Sequence, residues 1–268
     1  MGFSHSVRVF RAGVALGIKQ AWQEKITILG SLIIYGTIML LYGGVIKMIP
    51  DADLAKHGYS HSQMIWYLAI TEYVLFICAS WGFKEVQNDF QSEQIYLSLL
   101  RPYRASLVRI SVWAGEALVR AAGMFVPVML FITWLAGGLQ MSALQVIGML
   151  LSIPLSAVMM LAGLYIIGAS CLWFVQSEPA YWIWNKSIFL LGALLWPMAY
   201  YPVMMQNIMW STPFPAILAQ AGEWALDPSL TRILLGFVHQ LFWCLVAVFV
   251  LRWFDGVVLR KIQSGEGV

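Results

Sequence analysis

Between Ile26 and Trp253 the chain returns six times to an apolar run about as long as a bilayer is thick. A helix crosses a membrane with about 20 apolar residues. The runs cover residues 26–49, 63–83, 110–137, 143–175, 187–203 and 232–253. Composition agrees: 60% of the 268 residues are apolar and 11% are charged, whereas a soluble domain carries roughly 25% charged residues. No segment between the runs is long enough to fold around its own core. The reading is one all-α integral membrane domain with six transmembrane helices.

Residues 1–25 precede the first run. Phe3, Val7, Phe10, Val14, Ile18 and Trp22 recur at helical spacing, with Arg8, Arg11, Lys19 and Gln23 on the other side. That pattern predicts an amphipathic helix in the membrane interface, its basic groups toward anionic headgroups. Gly13 and Gly17 form a small-xxx-small pair, a signal for close helix contact. The following run is far longer than the h-region of a cleaved signal peptide.

Breaks and charges mark the remaining runs. The loop at 50–62 holds His57 and His61, four residues apart beside acids; two histidines near water need no metal to explain them. Glu72 falls near the middle of the second run. A charge there costs about 2.5–3.5 kcal/mol, so its carboxyl must face protein or a wet cavity, be paired, or be protonated. It is a candidate for a translocation path or subunit seam. Glu116 and Arg120 share a helix face, which suits a structural ion pair. Pro127 and Pro154 predict bends in the third and fourth runs. The fifth is interrupted by Trp196-Pro197 and Tyr201-Pro202, and residues 204–226 are apolar but too broken to cross. They predict a re-entrant helical hairpin on the outer side, tolerable where its backbone is buried against protein. His239 in the last run suits a hydrogen-bond partner within the bundle. Cys78, Cys171 and Cys244 lie in apolar runs without metal or disulfide spacing.

Six crossings put both termini on one side, and basic residues choose which. Arg8, Arg11, Lys19, Lys25, Lys84, Arg101, Arg104, Arg109, Arg120, Lys186, Arg252, Arg260 and Lys261 fall on one side; Lys47, Lys56 and Arg232 fall on the other. The richer side is cytoplasmic. Residues 84–109, KEVQNDFQSEQIYLSLLRPYRASLVR, then face the cytosol. They combine charges with Val86, Phe90, Ile95, Leu97, Leu99 and Leu100, a pattern for a short amphipathic helix touched by another protein.

Within that stretch, Tyr96-Leu97-Ser98-Leu99-Leu100-Arg101-Pro102 resembles the "LLRP" segment of small six-span ABC-2 type transporter permeases. Trp196-Pro197 to Tyr201-Pro202, followed by Thr212-Pro213-Phe214, is a second likeness. Number, order and length of the spans extend it over nearly the whole chain. Where that family often has Gly-Glu before the motif, this chain has Ser92-Glu93. The resemblance implies a permease subunit of an exporter in the plasma membrane, here a bacterial inner membrane. It implies a second permease chain, identical or not, and two cytoplasmic ABC ATP-binding subunits that carry ATP and Mg. By the same likeness residues 1–25 pack beside the ATPase docking site and 84–109 form the coupling segment. Glu85, Asp89, Phe90, Glu93, Leu97 and Arg101 are the residues expected at the ATPase interface, with Phe90 filling an apolar groove and the acids fixing orientation.

Other chemistries find no motif. There is no phosphate-binding G-x-x-x-x-G-K-[ST] run, no H-E-x-x-H and no G-x-S-x-G. No basic run alternates with exposed aromatics, so nucleic acid is not an expected partner; membrane lipid is. No catalytic residue, metal or chain-bound cofactor is expected. Two alternatives stay open: an ion- or proton-coupled carrier using Glu72, Glu116 and His239, and a non-transporting membrane scaffold.

Overall fold

The computed structural model describes residues 3–78, 82–92, 103–138, 141–226 and 230–264. Among them there are helices and turns and no strand. That is the physical consequence of apolar sequence, because a helix satisfies its own backbone where water is absent. The helices are α1 (Phe3–Gln23), α2 (Lys25–Lys47), α3 (Asp51–Ala55), α4 (His61–Ile77), α5 (Gly82–Gln91), α6 (Ala105–Ala136), α7 (Ala143–Ala169), α8 (Glu178–Leu191), α9 (Val203–Trp210), α10 (Phe214–Ile217), α11 (Ala219–Glu223) and α12 (Leu230–Gln263). Five helical stretches are long and apolar enough to cross a membrane: α2 from Ile26, α4 with α5, α6, α7 with its 3-10 extension, and α12 from Leu234. The second is counted across residues 79–81, which lie outside the described set.

The elements meet at two ends. At one, α5 is tied to the segment before α8, and Ser106 at the start of α6 donates to Asp255 near the end of α12 (2.5 Å). At the other, His61 reaches the Ile49 carbonyl (2.9 Å), Trp66 donates to Gly138 (3.0 Å), and His57 packs on Tyr200 (centroids 4.2 Å apart). The long helices run between these two ends.

The fifth apolar run is broken, and its helix has other bounds than expected. Residues 187–203 do not form one helix. α8 starts earlier, at Glu178, and stops at Leu191. Ala193 then takes a left-handed φ of 52°, and prolines 197 and 202 each precede only a short helical piece. The break is made good by α4. The Tyr67 hydroxyl donates to the Ala193 carbonyl, and the Thr71 hydroxyl lies 3.0 Å from that of Leu194. Side chains of a continuous helix thus satisfy what the discontinuous one leaves open.

Other boundaries shift for plainer reasons. α6 begins at Ala105 rather than 110, and α12 continues past 253 to Gln263, because polar residues at the ends of both can stay wet. α7 ends as an α-helix at Ala169 and tightens into a 3-10 turn at Ser170–Leu172, short of 175. Both α6 and α7 continue through their internal prolines, Pro127 and Pro154.

Residues 204–226 fold as short helices, and α10 and α11 dip back among α4, α7 and α12. Ala216, Ile217, Leu218 and Ala221 are fully buried. A Cβ on Gly222 would press on the Tyr67 ring and Thr71. Two capping boxes hold the far turn of this hairpin. Ser60 with Gln63 caps α4, and Ser142 with Gln145 caps α7. Each glutamine spends its Oε1 on the cap and its Nε2 on the hairpin: Gln63 donates to Leu226 (3.1 Å) and Gln145 to Trp224 (2.8 Å). By contrast, α2, α6 and α12 keep wide exposed apolar faces, such as Leu29, Ile33 and Leu41 on α2 and Leu235, Leu245 and Phe249 on α12. Such faces suit lipid or another apolar protein surface.

Candidate functional site: the polar helix α5 and what it grips

α5 is amphipathic, and the chain itself covers its apolar face. Phe83 stacks on Tyr181 (4.3 Å, 14°), Val86 packs against Gly168 of α7, and Phe90 meets the Tyr165 ring edge-on (6.4 Å). Phe90 is only 8% exposed. The groove it fills therefore belongs to α7 of its own chain. The expectation of a Phe90 side chain offered to another protein meets a buried core residue instead. A phenylalanine on the inner face of an amphipathic helix suits either destination, and sequence alone does not separate them.

The acids of α5 also have intramolecular partners. Arg109, one turn into α6, places one nitrogen 3.1 Å from Glu85 and pairs with Asp89 through the other. Glu85 and Asp89 are four apart, so one guanidinium can span both. Trp113, one turn further along α6, donates to the same Glu85 oxygen at 3.2 Å. Lys84 pairs with Glu178 at the start of α8 (2.5 Å). Gln87 accepts from the Ser177 backbone (2.8 Å), and Gln91 donates to the Val175 carbonyl (2.8 Å). One short helix is thus fastened to α6, α7 and the entry to α8. Arg109, Trp113 and Gln87 were not legible as site residues. Arg109 stands 20 and 24 residues from its acids, and no local spacing links them.

The outward side of α5 remains polar and open. Lys84, Glu85 and Asn88 are exposed and Asp89 is half-buried. Glu93, Leu97 and Arg101, the other expected interface residues, lie outside the described residues, as does the whole "LLRP" run.

The remaining singled-out residues divide clearly. Glu116 and Arg120 form an ion pair of 2.9 Å on α6. His239 lies 3.0 Å from both the Trp210 carbonyl and the Trp243 ring nitrogen, a place within the bundle. His57 packs on Tyr200 while His61 lies 3.1 Å from Asp51, so the two are engaged separately. Among the described residues no three His, Cys, Asp or Glu side chains converge as metal ligands. Glu72 is 5% exposed near the α2–α4 contact, where the Tyr35 hydroxyl donates to the Ala69 carbonyl (2.9 Å). No hydrogen bond or ion pair joins the Glu72 carboxyl to another described residue.

No protein-family model matches this chain, and no curated protein matches it.

Proposed function

We propose that the chain is the transmembrane permease subunit of an ABC-2 type ATP-driven exporter, with α5 as its coupling helix. The observation that carries this reading is the mounting of α5. Its inner face is buried on α7, its acids grip α6, and Lys84 holds the entry to α8, while Glu85 and Asn88 face outward. A push on that outward face moves three legs of the bundle together. In this reading the chain crosses the bilayer six times, the broken fifth pass included, and its termini and α5 lie in the cytoplasm. Two such chains, identical or different, enclose the path. Two ATP-binding subunits bind ATP and Mg and drive the change. This chain catalyses nothing itself. The two permease states must differ in their contacts with the ATPase for hydrolysis to bias them.

Asn88 is the direct probe, because it is exposed on α5 between the two acids. In native membranes, Asn88→Cys labelled with a maleimide-benzophenone should photo-cross-link, by insertion into a partner C–H bond, to a nucleotide-hydrolysing subunit that also co-purifies in mild detergent. A native complex with no nucleotide hydrolase removes the proposal.

One observation favours a second reading, an ion- or proton-coupled carrier: Glu72 is buried, and no hydrogen bond or ion pair joins its carboxyl to another described residue. ATP-independent transport by the chain alone in vesicles, abolished by an ionophore and by Glu72→Gln, would select it.

A further inference from the structure

α1 has three faces, and only one of them is used by the fold. Gly13, Gly17 and Ala21 recur every four residues and are buried. They cross α6 so closely that a Cβ on Gly13 would overlap Ser111, and one on Gly17 would overlap the Val112 carbonyl. From α6, Gly115 meets the Val14 carbonyl in the same way. Backbone against backbone leaves no play between the two helices.

The other faces are turned outward by that contact. Val7, Phe10 and Ile18 are exposed along one flank, continued by Trp22 at 65% exposure. Arg8 and Lys19 are exposed beside that flank, and Arg11 is exposed on it, one turn from Val7 and two from Ile18. None of the three cations has an ion pair among the described residues. α1 contains no acidic residue; the nearest in sequence is Glu24.

We propose that the outer face of α1 is a binding surface for anionic phospholipid headgroups. Arg8, Arg11 and Lys19 hold lipid phosphates while Val7, Phe10 and Ile18 sink into the acyl boundary. Charge complementarity selects this occupant. A second copy of the same face would bring cations against cations, and a zwitterionic leaflet offers no net attraction. Apolar and basic sectors side by side match the layered chemistry of an interface, where bulky apolar groups go below the phosphates and cations stay level with them. Since α1 is locked to α6, lipid charge would bear on a spanning helix.

The test uses the purified full-length chain in detergent, titrated with dioleoyl phosphatidylglycerol or dioleoyl phosphatidylcholine and read by native mass spectrometry. Each cation near an anionic surface contributes about fivefold in affinity, so R8Q/R11Q/K19Q should lower the phosphatidylglycerol preference at least about tenfold. R252Q/R260Q/K261Q, which removes the same charge elsewhere, should keep most of it. An undiminished preference in the first variant, or an equal loss in the second, overturns the site. Unaltered protein supplies a readout independent of variant folding: its preference should collapse in 1 M salt, where screening reaches about 3 Å, and persistence there also overturns the site. None of these measurements involves ATP or transport, so their failure and the failure of the permease reading are distinguishable.

Discussion

α5 and the hairpin of α10 and α11 are both short helical pieces held by longer helices, but they are held by opposite means. α5 is fastened by charge: Arg109 to Glu85 and Asp89, Lys84 to Glu178. The hairpin is fastened by neutral groups. Gln240 Nε2 lies 3.0–3.1 Å from the Ser152 and Ala216 carbonyls and the Ser156 hydroxyl, and Trp224 donates to Ser152 Oγ at 2.8 Å. The difference follows from water. The α5 ion pairs are partly exposed, so their charges remain solvated. At Gln240, with no exposed surface, a charge would lose its hydration, and an amide satisfies carbonyls at lower cost. Fastenings of the first kind respond to salt and to an approaching charged partner; those of the second respond only to unfolding. The region proposed to move is therefore the one whose attachments can be exchanged.

The comparison can be broken in three places. The largest effect is expected at Phe90→Ala, which empties a packed position and should cost about 3–5 kcal/mol, read as a lowered thermal midpoint of the purified protein. An unchanged midpoint would put Phe90 back on the surface as an unburied docking residue. Next comes Gln240→Leu. It strips the donor from two buried carbonyls and should cost about 1–3 kcal/mol, with little change in that cost between low and high salt. A strongly salt-dependent cost would mean the hairpin is not held by neutral contacts. The smallest effect is expected at Arg109→Gln. Partly exposed pairs contribute about 1 kcal/mol or less each, so a modest loss should appear at low salt and shrink at high salt. A double-mutant cycle with Asp89→Asn should show coupling between the two sites; simple additivity would dissolve the clamp.

What could be read in advance was governed by local rules. The Gly13/Gly17 spacing announced a close crossing because small residues matter only where another backbone approaches, and α6 supplies it. Glu116 and Arg120 were legible because four residues make one helical turn, and they pair at 2.9 Å. Glu72 was legible as an exception, since a lone acid in an apolar run has to be buried, wet or neutral. Arg109 was not legible as a clamp, because its partners arrive from another helix. Nor were the second uses of Gln63 and Gln145 legible: their caps are local, but the carbonyls they also reach belong to residues 224 and 226.

The sequence by itself determined that this chain is helical, that long stretches are apolar enough to leave water, and where prolines forbid an uninterrupted helix. Those conclusions depend only on backbone hydrogen bonding and the transfer of side chains out of water, which act residue by residue. Tertiary structure alone decided which way each amphipathic face turned. It put Phe90 under α7, gave the acids of α5 to Arg109, and supplied the hydroxyls of Tyr67 and Thr71 to the carbonyls of Ala193 and Leu194. Such choices are made between segments distant in the chain, where competing partners differ in geometry rather than in composition.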